Sequence, residues 1–142
     1  MTQQYVIVGG NAAGMSTATR LRRLDETAEI IVLEQGEHVS YASCGLPYHL
    51  SDTVPEEQLA VMGVDQLSAA FDLDIRTGVT ATGIDPDAAT VSVTDADGES
   101  TTIVSDDLVV ATGAEPLVPP MFHLDELEHC HTLRPVSHAP GP

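Results

Sequence analysis

The stretch YVIVGGNAAG, residues 5–14, decides the fold. Its first half, YVIVGG (residues 5–10), is apolar, rich in β-branched residues and stops on two glycines, which reads as a buried parallel strand entering a turn. NAAGMSTATRLRRLDE follows with helical spacing, which predicts a helix with Met15, Ala18, Leu21 and Leu24 on one side. EIIVLEQG, residues 29–36, is a second buried strand ending at Glu34. Strand, glycine turn, helix and strand within so short a span make a βαβ unit, with a right-handed crossover expected.

The turn itself carries chemistry. Gly9 and Gly14 are separated like the outer glycines of the dinucleotide fingerprint, G-x-G-x-x-G. Gly9 permits the tight turn, Gly14 allows close packing of helix on strand, and the helix N-terminus offers free N–H groups to a pyrophosphate. Asn11 replaces the middle glycine, so the fingerprint is incomplete. Glu34 lies at the end of the second strand, where a carboxylate accepts hydrogen bonds from ribose hydroxyls. An acidic residue there favours an unphosphorylated ribose, as in FAD or NAD. A solvent-facing strand-end glutamate is the plainer alternative.

Outward from this unit, VDQLSAAFD reads as a short helix and LDIRTG as another strand. TATGID, ATVSVTD and STTIVS then alternate as short strands between the turns DPDA and DADGES, an antiparallel meander inserted into a parallel layout. DDLVVATG, residues 106–113, returns as a buried strand closing on a glycine, and EPLVPP reads as an extended linker. The tail from Met121 has one weak helical pattern and ends in prolines.

Length suits one domain. No run of about 18 apolar residues is present, and MTQQYVIVGG lacks the basic start of a signal peptide, so a cytoplasmic protein is expected. Twenty-two acidic residues stand against five arginines and no lysine, a formal net charge of −17. Such a field excludes nucleic acid and anionic membrane as partners and suits a salt-rich cytoplasm, where self-repulsion is screened. Three arginines, Arg20, Arg22 and Arg23, crowd into one helical turn. They either solvate a helix face or hold a phosphate.

SYASCGLPYH, residues 40–49, sets Cys44 among small residues. Disulfide staple, metal ligand, buried filler and redox nucleophile all remain open for it on the residues alone. Cys130 shares no local motif with it. His129, Cys130 and His131 are adjacent, so they cannot all face one ion, and no metal site is expected.

The βαβ unit, the meander and the returning strand ending in LVVATGA together resemble the FAD-binding domain of the two-dinucleotide-domain flavoprotein disulfide reductases. The resemblance runs from about residue 4 to 138, and the cysteine segment is similar to the single-cysteine subgroup, which contains coenzyme A disulfide reductase, NADH oxidase and NADH peroxidase. It implies a Rossmann-like FAD-binding domain over 1–120, and a linker leading toward an NADH-binding domain over 121–142. It implies FAD contacts from Gly9, Gly10, Asn11, Ala12, Ala13, Gly14, Glu34, Gln35, Ser43, Val79, Ala111, Thr112 and Gly113, with NADH or NADPH as donor. Cys44 becomes a redox nucleophile facing the flavin, its thiolate supported if a helix begins nearby.

Within the subgroup, oxidases and peroxidases place a histidine three residues after the first fingerprint glycine, and here that position is Ala12. CGLPY and Ala12 are instead similar to coenzyme A disulfide reductases, which implies coenzyme A disulfide as substrate. Ser16, Arg20, Arg23, Ser40 and Ser43 match that family's substrate contacts. The resemblance also implies a homodimer for the complete enzyme. A second glycine motif and a C-terminal interface domain are lacking, so the expectation is a fragment, a truncated product or one part of a split enzyme, incomplete for turnover alone.

Overall fold

The structure is a computed structural model that describes residues 2–122 and 132–133. The chain forms two compact units, Met1–Tyr41 with Val61–Gly113, and Ala42–Ala60 with Ala114–Pro142.

The first unit holds a parallel sheet in the order β3-β2-β1-β7, from β1 (Gln4–Val8), β2 (Glu29–Glu34), β3 (Asp74–Thr77) and β7 (Asp107–Val110). Tyr5 of β1 sits opposite Ile30 on one side and Asp107 on the other. A second sheet, β4 (Thr80–Asp85), β5 (Thr90–Thr94) and β6 (Ser100–Val104), is an antiparallel meander in chain order. The α/β layout expected from the sequence therefore forms, inserted meander included.

Strand alternation sorts the core into two layers. Ile7, Ile30 and Val32 pack toward Met15 and Ala18 of α1 (Ala12–Leu24) and toward Leu67 of α3 (Val64–Phe71). Their neighbours Val6, Ile31 and Leu33 point the other way, onto Val91, Val93 and Ile103 of the meander. Both faces of β1 and β2 are thus covered, which explains why these strands read as continuous apolar runs. Each such side chain, fully buried, contributes on the order of 1.5–3 kcal/mol.

Leu24 corrects the sequence reading, being 67% exposed while Met15 and Ala18 are buried. An i, i+3 series slips by about 60° per step on a helix of 3.6 residues per turn, so its fourth member faces away from its first. The first strand ends at Val8, before the glycines of the turn.

In the second unit, Ser43–Gly45 forms a 3-10 turn leading into α2 (Leu46–Leu50), and Glu56–Gln58 forms another. Leu46 and Leu59 are buried, and the Ala42 N–H donates to the Leu59 carbonyl at 2.7 Å. A Cβ on Gly45 would lie 2.7 Å from Leu59 Cδ2, so the turn closes tightly on that leucine. Residues 114–119 carry no regular structure, and Pro120–Phe122 forms a 3-10 turn. The helical pattern assigned to the tail, together with His129, Cys130, His131 and Arg134, lies outside the described residues.

Candidate dinucleotide site

The site is built at the C-terminal ends of β1, β2 and β7. Gly9 takes φ +109°, a conformation that side chains rarely adopt, and its N–H donates to the Leu33 carbonyl at 2.8 Å. The Ala111 N–H donates to the Val8 carbonyl at 2.7 Å, which brings the end of β7 against the turn. A Cβ on Gly9 would lie 2.3 Å from the Ala111 carbonyl oxygen, and a Cβ on Gly14 only 1.7 Å from that of Gly9. Both outer fingerprint glycines are therefore required by backbone contact. Gly113, at φ +73°, ends the returning segment.

Glu34 is the hub. Its Oε2 accepts the Gly10 N–H at 2.8 Å and its Oε1 accepts the Gly36 N–H at 2.8 Å. Its backbone carbonyl accepts the Val79 N–H at 3.0 Å. Each carboxylate oxygen keeps acceptor capacity beyond these bonds, enough for ribose hydroxyls. Gly10 has no room for a side chain, since a Cβ would meet Val39 at 2.7 Å and Glu34 Cβ at 3.0 Å. Its carbonyl accepts the Ser40 N–H at 2.9 Å, and Ser40 holds a left-handed φ of 53°. The sequence reading missed Gly36 and the backbone role of Ser40. The EQG ending of β2 was the available signal for the first, and nothing local signals the second.

Asn11 is the N-cap residue of α1, yet its side chain makes no capping bond. Its Oδ1 is buried without a hydrogen-bond partner. Ala12 and Ala13 follow, exposed, with first-turn N–H groups that no helix carbonyl can accept. No acidic residue occupies that first turn. A bare backbone cradle, a helix N-terminus and an acceptor carboxylate fit the pyrophosphate and ribose of FAD. Gly9, Gly10, Asn11, Ala12, Ala13, Gly14, Glu34, Gln35, Val79, Ala111, Thr112 and Gly113 all belong to this first unit.

The arginine cluster divides. Ser16, Arg20 and Arg23 are spaced i, i+4, i+7, lie on one face of α1 and are exposed. Neither Arg20 nor Arg23 has an ion-pair partner among the described residues. Arg22 is different: its side chain is only 12% exposed. It donates to the carbonyls of Phe71 (3.0 Å), Asp72 (2.6 Å) and Glu26 (2.9 Å), with the Asp72 carboxylate 3.6 Å away. Its guanidinium fastens the end of α1 to the end of α3, with most of its N–H donors committed to backbone carbonyls. A cavity of about 410 Å³ at the N-terminal ends of the strands, lined by Gln4, Arg22, Glu29, Asp72 and Arg76, is at the opposite edge of the sheet from the glycine turn.

Cys44 is free and exposed, on the Ser43–Gly45 turn of the second unit, with Ser43 also exposed. The helix after it begins at Leu46 and runs five residues, so the dipole support expected for a thiolate is that of a single turn. His49 Nδ1 lies 3.1 Å from the Val54 carbonyl, which fixes that ring by a local bond. Among the described residues no cluster of His, Cys, Asp or Glu could hold a metal ion, and no helix is long and apolar enough to cross a membrane.

Residues 3–141 match the family model described as pyridine nucleotide-disulphide oxidoreductase. The chain is 38% identical over 120 residues to an NAD(P)H sulfur oxidoreductase (CoA-dependent) of Pyrococcus abyssi, covering 84% of this chain and 26% of that protein. It is 30% identical over 117 residues to an NADH oxidase of Methanocaldococcus jannaschii, covering 82% of this chain and 26% of the relative. Among solved structures, reduced CoADR-RHD of Bacillus anthracis superposes with a TM-score of 0.92 at 36% identity, over 98% of this chain and 25% of that one. The chain thus spans about a quarter of the length of the curated relatives it matches. The chain belongs to the pyridine nucleotide-disulphide oxidoreductase family, oxidoreductases whose cofactors are FAD and NAD(P)H.

Proposed function

We propose that this chain is the FAD-binding portion of an NAD(P)H-dependent disulfide reductase that works through the single thiol of Cys44 on coenzyme A disulfide or a related low-molecular-weight disulfide. In this reading residues 1–120 form the FAD domain, 121–142 lead toward the nicotinamide domain, and the complete enzyme is a cytoplasmic homodimer. The observation that carries it is the exposed, free thiol of Cys44 on a turn of small residues, in a chain whose other unit carries a glycine cradle and ribose carboxylate.

FAD, when bound, passes two electrons from the nicotinamide donor to a disulfide. The chain's own residues bind and orient. Gly9 to Gly14 and Ala111 to Gly113 admit the dinucleotide backbone, and Glu34 accepts ribose hydroxyls. The Cys44 thiolate attacks one sulfur of the substrate disulfide, forming a mixed disulfide and releasing one thiolate. Two-electron reduction of that bond then frees the second thiol and restores Cys44. Arg20 and Arg23, exposed beside Ser16 on α1, supply cationic contacts for coenzyme A phosphates, with Ser40 and Ser43 as polar neighbours of the cysteine in the chain.

Relatives named for CoA-dependent sulfur reduction and coenzyme A disulfide reduction support a sulfur–sulfur bond next to coenzyme A as the substrate class. An oxidase route through a cysteine sulfenate is the second reading, favoured by the Methanocaldococcus relative's name and disfavoured by Ala12, which offers no proton. Replacing Cys44 by serine leaves flavin binding intact and, in the complete enzyme, abolishes reduction of coenzyme A disulfide. Retained disulfide turnover in that variant overturns the assignment.

A further inference from the structure

Tyr48 is a large aromatic side chain that the fold leaves 59% exposed, four residues after Cys44. The two lie on one continuous helical path. The 3-10 turn Ser43–Gly45 runs straight into α2, with the Gly45 N–H donating to the Ala42 carbonyl at 2.8 Å and the Leu46 N–H to the Ser43 carbonyl. Leu46 is buried and Gly45 sits against Leu59, which fixes the inner side of this path. Cys44 and Tyr48, one turn apart, are both exposed. Helical residues four apart are surface neighbours, with Cβ atoms about 5–6 Å apart, and helical side chains lean toward the N-terminus. Tyr48 therefore covers the turn that carries the thiol.

The backbone of Tyr48 is anchored at three points. Its carbonyl accepts the Thr53 N–H at 2.9 Å, the Val54 N–H at 3.2 Å and the Ser51 hydroxyl at 3.0 Å. The phenol takes no part in this, and among the described residues it makes no hydrogen bond. A seated backbone presenting an uncommitted hydroxyl suits a donor to developing charge, since its position is set and no bond has to break first. Residues 42–60 contain no lysine or arginine. His49 is the other candidate donor of the segment, but its Nδ1 is 3.1 Å from the Val54 carbonyl. Five residues from Cys44, it also stands about 140° round the helix from the thiol.

We propose that Tyr48 is a catalytic residue of disulfide exchange at Cys44, its hydroxyl donating a hydrogen bond to the sulfur that departs. The proposal deepens the Cys44 reading above and rests on it. The Cys44 thiolate forms a new S–S bond to the nearer substrate sulfur, the substrate's own S–S bond breaks, and that electron pair leaves on the far sulfur. Cys44 is thereby oxidised to the mixed disulfide, and the departing sulfur is reduced to a thiolate that takes a proton from water. In-line attack puts the departing sulfur about 4 Å from Sγ, two S–S bonds of about 2 Å each. That distance is within one helical turn of about 5.4 Å, the separation of the two residues along the path.

The exchange step needs neither FAD nor a nicotinamide, so the full chain serves for the test, with Cys130→Ser removing the second thiol. Formation of the Cys44 mixed disulfide is followed by mass for two substrates. Coenzyme A disulfide releases an alkyl thiolate, whereas dithiobis(nitrobenzoate) releases an aromatic thiolate that spreads its own charge. Tyr48→Phe keeps the ring and removes only the hydroxyl. The expected result is exchange about tenfold slower with coenzyme A disulfide and changed by less than about twofold with the aromatic disulfide. The same thiolate attacks both, so any change in its ionisation cancels in the ratio of rates, and a merely structural role slows both alike. Equal effects on the two substrates, or none on either, overturn the inference and leave the Cys44 reading standing. A Cys130→Ser parent that forms no adduct with coenzyme A disulfide overturns both.

Discussion

Glu34 and Gly10, 24 residues apart in the chain, are joined by a hydrogen bond of 2.8 Å from the Gly10 N–H to the Glu34 carboxylate. The other carboxylate oxygen accepts the Gly36 N–H, so one side chain spans the glycine turn and its own strand end. The residue that reads as a ribose acceptor also shapes the turn that would cradle the pyrophosphate.

Replacing Glu34 by alanine strands both N–H groups. Hydrogen bonds to a charged acceptor imply a loss of about 2 kcal/mol in stability, read from urea unfolding in molar salt without FAD. Glu34→Gln keeps one acceptor and falls between parent and alanine. A ribose contact alone would leave the FAD-free stability of both variants unchanged.

Gly14 and Gly98 separate close packing from backbone strain. Gly14→Ala places a methyl 1.7 Å from the Gly9 carbonyl oxygen, so α1 must lift off the strand. The expected loss is about 3 kcal/mol, with FAD binding lost as well. Gly98 has φ +83° but open space around it. Gly98→Ala costs about 1 kcal/mol of left-handed strain and leaves FAD binding unchanged. Equal losses from the two would contradict the packing role of Gly14.

The arginines of α1 have different jobs. Arg22→Ala, which removes the donors to Phe71, Asp72 and Glu26, lowers stability by about 2 kcal/mol. Arg20→Ala and Arg23→Ala change stability by less than about 0.5 kcal/mol, because both are exposed. Under the proposed substrate reading, they instead raise KM for coenzyme A disulfide and spare a small uncharged disulfide.

Asp25 titrates below the usual carboxylate range because the Thr27 hydroxyl and N–H both donate to its carboxylate. A carboxyl depressed in the folded state contributes stability above its unfolded pKa, and that contribution disappears as pH falls through the folded value. Thr27→Val removes the hydroxyl donor, so the Asp25 midpoint followed by NMR moves upward. An unmoved midpoint would show that the hydroxyl bond is absent in solution.

The sequence by itself determined the layers and the kind of site. Continuous apolar runs assign β1 and β2, alternation assigns β5, two glycines five positions apart mark the nucleotide turn, and Glu34 sits at a strand end, all readable because each signal lies among chain neighbours. Only the tertiary structure decided which arginine is structural, since the carbonyls that hold Arg22 include Phe71 and Asp72, 49 and 50 residues away. It also decided that Leu24 faces solvent and that Asn11 leaves its helix uncapped with a buried oxygen unpaired. Periodicity and spacing are local properties of a chain. Hydrogen-bond partners and burial depend on which distant segments fold against a residue, and no short stretch of sequence contains that.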